Sequence, residues 1–227
     1  MSEENRKAIR ISVRNLVEFV LRSGDIDNRR SGNAQKDAML AGGRIHRKIQ
    51  KRMGSGYRAE VPLKHEVQDE EQEITLLVEG RADGIFTENG IPVIDEIKGM
   101  YTDISRLEEP IEVHLAQAMC YGYFYCCDKD LDGIRLQMTY CNLETEEIKR
   151  FQTDRSREEL ETWFSSVVHE YFKWARYLYH HELTRDASIG HLEFPFPYRA
   201  GQRDLVVSVY RTVSRKKRLF IQAPTGI

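Results

Sequence analysis

The sequence predicts an α/β fold in which helices pack around a central mixed β-sheet. Segments rich in Val, Ile and Leu alternate with amphipathic segments of helical period. The dipeptide Asn89-Gly90, a strong signal for a tight β-hairpin, joins two of the apolar segments. With 227 residues, 41% of them hydrophobic, the chain can bury one full core with or without an appendage.

Two helices are predicted in the N-terminal part. Ile9 to Leu21 carries apolar residues at helical spacing, the polar segment 25–33 predicts a loop, and Gln35 to Met53 resumes the helical period. On this second helix His46 lies on the inward face. The adjacent Gly42 and Gly43, one turn earlier, predict that something packs closely against the helix.

The sheet is predicted from the middle of the chain. Ile74 to Phe86 and Pro92 to Lys98 form a hairpin, and strands near 58–67 and 133–141 would extend it. Helices are predicted over 105–127, over 156–183 and from Gln202 onward. The 156–183 helix begins with Ser156 and Glu159 at capping-box spacing and packs through an apolar face.

The hairpin brings two acidic residues together. A two-residue turn at Asn89-Gly90 pairs Thr87 with Pro92 and Asp83 with Glu96. Opposed residues share a sheet face, with Cβ atoms roughly 4.5–5.5 Å apart. Lys98 falls on this face, whereas Asp95 points to the other side, so Glu96 is preferred as the second acid.

Two carboxylates facing each other destabilise a strand pair unless a positive partner compensates them. Mg²⁺ or Mn²⁺ would supply that charge, because hard cations prefer oxygen ligands. A surface hairpin whose acids are neutralised by Lys98 and Arg81 is the alternative.

Composition argues against membrane proteins. No apolar run approaches the roughly 20 residues of a membrane span, and the N-terminus MSEENRKAIR lacks a signal-peptide core. A soluble, cytoplasmic protein is therefore expected. Four cysteines (Cys120, Cys126, Cys127 and Cys141) are then expected to be reduced thiols. Iron–sulfur ligation remains the alternative for them.

Charge is distributed unevenly along the chain. Residues 1–58 carry 14 Lys and Arg against 6 Asp and Glu, residues 199–227 carry 7 against 1, and the middle carries 13 against 29. Basic ends suit a polyanion and an acidic centre suits a cation, although solvated surface charge would also explain the pattern.

Four motifs in order resemble the RecB-type branch of the PD-(D/E)xK nuclease superfamily, over roughly residues 35–125. They are GRIHRK, GRADGIF, VIDEIKG and HLAQAMCYGY. The resemblance places His46, Asp83, Glu96, Lys98, Gln117 and Tyr121 at the positions of that family's motif residues.

The resemblance implies a restriction-endonuclease-like core and hydrolysis of DNA phosphodiesters by a metal-activated water. Asp83, Glu96, the Ile97 carbonyl and His46 would supply the Mg²⁺ or Mn²⁺ ligands. Lys98 would orient the water or stabilise developing charge, and Gln117 and Tyr121 would brace Lys98 or touch DNA. An exonuclease acting on single strands or duplex ends is expected. No iron–sulfur cluster is expected, because the family's early cysteine is missing.

The C-terminal segment FPFPYRAGQRDLVVSVYRTVSRKKRLFIQAPTGI resembles the start of a DinG/XPD-type helicase. It would comprise a helix, a basic turn and an apolar strand entering a phosphate-binding loop that stops before its Gly-Lys-Thr, so no ATPase activity is expected. An ordinary strand and turn is the alternative. The predicted organisation is a nuclease domain over 1–183 (core about 35–145, packing helix 156–183), a linker at 184–193 and a helicase segment at 194–227.

These features together predict the nuclease part of a nuclease–helicase fusion in DNA repair or defence, with the downstream helicase domain as a partner. Two alternatives stay open. One is a catalytically silent DNA-binding or scaffold domain, which the complete set of two acids and a lysine argues against. The other is an RNA or nucleotide phosphodiesterase using the same metal chemistry.

Overall fold

A computed structural model describes residues 7–24, 33–69 and 73–222. Within these ranges a mixed six-stranded β-sheet is flanked by five α-helices, which confirms the predicted fold class. In chain order the elements are β1 (Lys7–Ser12), α1 (Val13–Val20), α2 (Asn33–Arg52), β2 (Arg58–Gln68), β3 (Ile74–Glu88), β4 (Ile91–Met100), α3 (Glu112–Lys129), β5 (Gly133–Asn142), β6 (Ile148–Ser156), α4 (Arg157–Ile189) and α5 (Gln202–Ser214).

The long strand β3 organises the sheet. One of its edges pairs with antiparallel β2 from Thr75 to Ile85. The other edge pairs with parallel β1 over 74–79 and then with antiparallel β4 over 84–88. On this second edge, residues 80–83 lie between β1 and β4 and pair with no strand among the described residues. Beyond β4 the order continues to parallel β5 and antiparallel β6.

Helices cover both faces of the sheet. The main core contains α1, α3 and the first part of α4, packed against apolar side chains of β3, β4 and β5. A second, smaller cluster joins Ile45 and Ile49 of α2 to Ile97 and Cys141. Because Ile97 and Glu96 are adjacent in β4, their side chains point to opposite faces. The strand β4 is thus buried between α2 and α3.

The first predicted helix is wrong in its N-terminal part. Residues 9–12 belong to β1, and the helix begins only at Val13. The Ser12 side chain accepts a hydrogen bond from the Asn15 amide at 3.1 Å, which caps α1 at its N-terminus. Ile9 and Ile11 pair with β3 instead of continuing the helix, because strand pairing overrides the short helical period.

Two further boundaries differ from the prediction. The helix expected from residue 105 begins at Glu112, after Pro110, and residues 104–106 form a single 3₁₀ turn. Strand β6 was not predicted, because it carries few apolar residues to mark its inward face. The capping box at the start of α4 is confirmed: the Glu159 amide donates to Ser156 Oγ at 3.1 Å, and the Ser156 amide donates to Glu159 Oε2 at 2.8 Å.

The chain divides into two compact units, 1–179 and 180–227. Helix α4 continues to Ile189, six residues past the predicted end, and α5 confirms the helix predicted from Gln202. The apolar strand expected after α5 is not formed at 217–222, where no partner strand is available in the described unit. The predicted phosphate-loop residues 223–227 and the predicted loop at 25–32 lie outside the described residues.

None of the described helices has the length and apolar character that crossing a membrane requires.

Candidate active site

The hairpin register agrees with the prediction over five residue pairs. Thr87 pairs with Pro92, and the ladder continues to Gly84 opposite Asp95. It ends there, so Asp83 and Glu96 are not joined as a backbone pair. The Ile97 amide instead donates to Asp83 Oδ2 at 2.7 Å. At this end of the hairpin, the Ile97 amide thus bonds a side-chain oxygen of β3, where a regular ladder would offer a backbone carbonyl.

The backbone of β3 changes its orientation next to Asp83. A Cβ at Gly80 would meet Tyr121 of α3, whereas a Cβ at Gly84 would meet Tyr57, which contacts the other side of the sheet. Residues four apart in a regular strand share one face, so the alternation is broken between these glycines. Glu60, which would pair with Asp83 from β2, has a left-handed φ of 53° and forms no such pair.

Helix α2 holds Asp83 from two directions. His46 Nδ1 lies 3.2 Å from Asp83 Oδ1. One turn later, Gln50 Nε2 donates to the Asp83 carbonyl at 2.9 Å, which satisfies a backbone group that the distorted strand leaves unpaired. Burial lowers the pKa of His46, but the hydrogen bond and charge of Asp83 outweigh it, so the pKa is raised overall.

Glu96, Lys98 and Gln117 form a hydrogen-bonded chain on the α3 side of the sheet. Lys98 Nζ donates to Glu96 Oε1 and to Gln117 Oε1, both at 2.8 Å. Burial raises the pKa of Glu96 well above its ordinary value; the charge of Lys98 opposes this and that of Asp83 adds to it. The second oxygen of Glu96 is buried and has no hydrogen-bond partner among the described residues.

Tyr121 closes the gap in the edge of β3. Its hydroxyl lies against Gly80 and close to the backbone of Arg81, on the edge of β3 where residues 80–83 pair with neither β1 nor β4. A Cβ at Gly80 would lie 2.5 Å from this hydroxyl, so only glycine leaves room for it. Burial raises the pKa of Tyr121 far above its usual value, and the phenol stays protonated. Tyr121 therefore braces β3 while Gln117, one turn earlier, holds Lys98.

His114, on the same side of α3, lies 3.4 Å from the Tyr140 hydroxyl through Nδ1. Burial, helped by the charge of Lys98, lowers its pKa to about 4. It is therefore neutral at physiological pH.

Asp95 belongs to a separate polar cluster on the α2 side of β4, as its predicted orientation requires. It accepts hydrogen bonds from Thr139 Oγ1 at 2.6 Å, Gln137 Nε2 at 3.0 Å and the Tyr57 hydroxyl at 2.9 Å. Burial raises its pKa, although these three bonds oppose the shift. Both carboxylate oxygens of Asp95 therefore already have hydrogen-bond donors within the protein.

Sequence reasoning did not assign roles to Gln50 and Tyr57. Gln50 follows His46 by one helical turn and so shares its inward face, which is the signal in the sequence for a contact with the site. Nothing local to Tyr57 indicates that it bonds Asp95, because the two residues are 38 positions apart.

The donor set fits a hard divalent cation. Asp83 and Glu96 offer carboxylate oxygens, the Ile97 carbonyl lies in the same strand as Glu96, and the unpartnered Glu96 oxygen needs a positive or donor partner. In the described part of the chain, no group of three or more His, Cys, Asp and Glu side chains is arranged to hold a metal. Two carboxylates are the number that Mg²⁺ sites commonly use, with water and substrate oxygens completing the shell.

Comparison with known proteins gives distant structural similarities. No protein-family model matches the chain, and no curated protein matches it. The solved structure of SSO0001 is 17% identical, with a TM-score of 0.46, over 74% of this chain and 78% of that one. An alkaline exonuclease (LHK-Exo) from Laribacter hongkongensis is 13% identical, with a TM-score of 0.42, over 77% of this chain and 94% of that one. At such distances, function has to be argued from the site itself.

Proposed function

We propose that this chain is a metal-dependent nuclease that hydrolyses phosphodiester bonds in DNA. One observation carries the proposal: Glu96 is buried with one oxygen bonded to Lys98 and the other without a partner. Leaving a buried carboxylate oxygen unpaired costs on the order of 1–3 kcal/mol. A buried, unpaired carboxylate oxygen next to a second carboxylate is suited to binding a cation.

The metal would be held by Asp83, Glu96 and the Ile97 carbonyl. When bound, Mg²⁺ or Mn²⁺ lowers the pKa of water and shields the phosphate charge. His46 hydrogen-bonds Asp83 and would fix the direction of its carboxylate, a supporting role that leaves direct ligation by His46 as the alternative.

Lys98 supplies the remaining charge. Its ammonium group is held between Glu96 and Gln117 and is partly exposed, so it can stabilise negative charge that develops on phosphate oxygens. Such preorganised donors contribute most where water is excluded, as it is around the buried Glu96.

For the C-terminal unit we propose the start of a helicase domain, on the sequence resemblance of residues 194–227. The described part of α5 contains no buried side chain. This suits a segment that completes its core with further protein, and a nuclease joined to a helicase would act in DNA processing.

The test incubates the full chain with labelled linear and circular single-stranded DNA, duplex DNA and single-stranded RNA, with Mg²⁺, Mn²⁺ or EDTA. We expect metal-dependent cutting of DNA that Asp83→Ala and Glu96→Gln abolish. Cutting of linear but not circular DNA would identify an exonuclease. Cutting unchanged by Asp83→Ala would refute the site. DNA binding without cutting under every condition would favour the silent scaffold, and cutting of RNA alone would favour the alternative phosphodiesterase.

A further inference from the structure

The outer surface of α2 is strongly basic next to the proposed active site. Five exposed cations lie within nine residues of the same helix that carries His46 and Gln50. They are Arg44, Arg47, Lys48, Lys51 and Arg52. Such a density of positive charge on a short stretch of one helix is typical of a surface that contacts a polyanion, but a solvated helix face can carry it too. The distribution of partners separates these two cases.

An acidic residue neutralises one side of this surface. Glu146, in the turn between β5 and β6, pairs with Lys48 and lies 4.0 Å from Arg52. For Arg44, Arg47 and Lys51 the described residues provide no acidic partner. These three are spaced three and four residues apart and form one row, roughly 10 Å long at 1.5 Å per residue. We call it the α2 basic row.

Gly43 lies between the basic row and the active site. His46 and Arg47 follow it by three and four residues, so both side chains lean over the turn that contains it. A Cβ at Gly43 would touch only the Arg47 guanidinium at 3.8 Å, and one at Gly42 would meet nothing within 4 Å. The close packing predicted against these two glycines is therefore limited. Gly42 does lie near Gly99, since a Cβ added at Gly99 would be 3.6 Å from the Gly42 Cα. The fold itself does not require glycine at position 43.

We propose that the α2 basic row binds the sugar–phosphate backbone of a nucleic-acid strand that reaches the active site across Gly43. This inference rests on the proposed nuclease function for the direction of the strand. A row of roughly 10 Å matches about three phosphates of one strand at 3.4 Å of axial rise each. The absent side chain at Gly43 lets the strand pass close to the helix between His46 and Arg47.

The binding test uses a fluorescent 20-nucleotide single strand, measured by anisotropy in EDTA over a series of salt concentrations. In Arg44→Gln/Arg47→Gln/Lys51→Gln the slope of log affinity against log salt should fall by about 2, at roughly 0.7 per phosphate contact. The control Arg22→Gln/Lys129→Gln/Lys173→Gln removes the same charge from other exposed positions. Equal losses in the two triple variants would overturn the proposal.

Glu146 supplies a second prediction of opposite sign. Glu146→Gln frees Lys48 and Arg52, so binding should tighten and the salt slope should steepen. Glu170→Gln is the matched control, since Glu170 is an exposed acid paired with Lys173 on α4. Tightening no greater than in this control would contradict the placement of the strand on α2.

Substitutions at Gly43 distinguish a role of this position in binding the strand from a role in stabilising the fold. Gly43→Leu should leave the melting temperature unchanged or raise it, because leucine favours a helix and a Cβ at this position makes only an ordinary contact with the flexible Arg47 side chain. The same variant should weaken strand binding and cutting by about 10-fold or more, a discrimination of at least 1.4 kcal/mol, whereas Gly43→Ala should do so less. Normal binding by Gly43→Leu would refute the path across Gly43. Because the binding measurements are made in EDTA, they remain decisive even if the chain proves unable to cut DNA.

Discussion

Lys98 is the residue that places a positive charge directly beside the proposed metal ligand Glu96. It compensates the buried Glu96 and is held in place by Gln117. Lys98→Met should reduce metal-dependent cutting by about 10²- to 10³-fold, the usual loss for one preorganised charge-stabilising donor. Initial rates at saturating DNA would measure it. Lys129→Met, on an exposed residue of α3, should cut normally; a Lys98→Met enzyme of normal activity would remove Lys98 from the chemistry.

The adjacent acids Asp95 and Glu96 should behave differently when each is made neutral. Asp95 is paired by three donors on the α2 side, whereas Glu96 has a free buried oxygen. We expect Asp95→Asn to keep at least a tenth of wild-type cutting, because an amide can retain most of these bonds. Glu96→Gln should abolish it. The reverse pattern would show that the acid was assigned to the wrong face of β4.

Metal binding should depend on pH through Glu96. Burial raises its folded pKa above the ordinary value, so protons compete with the cation at a higher pH than they do for an exposed glutamate. The Mg²⁺-induced rise in melting temperature should be largest at alkaline pH and shrink as pH falls through this raised pKa. At 100 times Kd the ligand would stabilise by about 2.7 kcal/mol. Calorimetry from pH 5 to 9 measures it, and Glu96→Gln should show no such rise.

At the scale of elements, α3 and β3 are fitted to each other at Gly80. A Cβ there would lie 2.5 Å from the Tyr121 hydroxyl and 3.0 Å from its ring. Gly80→Ala should therefore cost about 1–3 kcal/mol of stability by overpacking. The cost should be smaller in a Tyr121→Phe background, where the hydroxyl is gone. Chemical denaturation measures both, and Gly56→Ala, in open space, should change stability by less than about 0.5 kcal/mol. Equal costs in the two backgrounds would show that the Tyr121 hydroxyl is not what makes Gly80→Ala destabilising.

Local signals predicted the elements that depend on neighbouring residues. The Asn89-Gly90 turn determined the register of β3 and β4, and the Ser156 capping box marked the start of α4. Strand β1 was missed because its identity depends on pairing with β3, more than 60 residues away. A short apolar segment fits either a helix or a strand until its partner is known.

The same limit applies to the site. Alternation along β4 correctly separated Asp95 from Glu96. A regular strand was assumed at Asp83, whereas the described structure has a break in alternation there, with support from Gln50. This distortion lies where one edge of β3 passes from pairing with β1 to pairing with β4, an arrangement of the assembled sheet that no short motif encodes.

For the whole molecule, the two units differ in how much apolar surface they bury. The last buried side chain of α4 is Ala175, and Tyr179 still packs against the main core. In the described part of the second unit no residue is buried, and Phe220 is 96% exposed. The first unit therefore contains the core and all the proposed site residues.

A chain ending at Ile189 should consequently fold and cut as the full chain does. It keeps every buried side chain of the first unit, whereas residues 190–227 alone, fewer than roughly 40, are too few to form a stable core. We expect its melting temperature to lie within about 2 °C of the full-length value, since a shift of that size corresponds to only roughly 0.5–1 kcal/mol for a domain of this size. Residues 190–227 alone should give a disordered circular-dichroism spectrum. A shortened chain that unfolds at a much lower temperature would show that the second unit stabilises the first, and the site would then have to be tested only in the full chain.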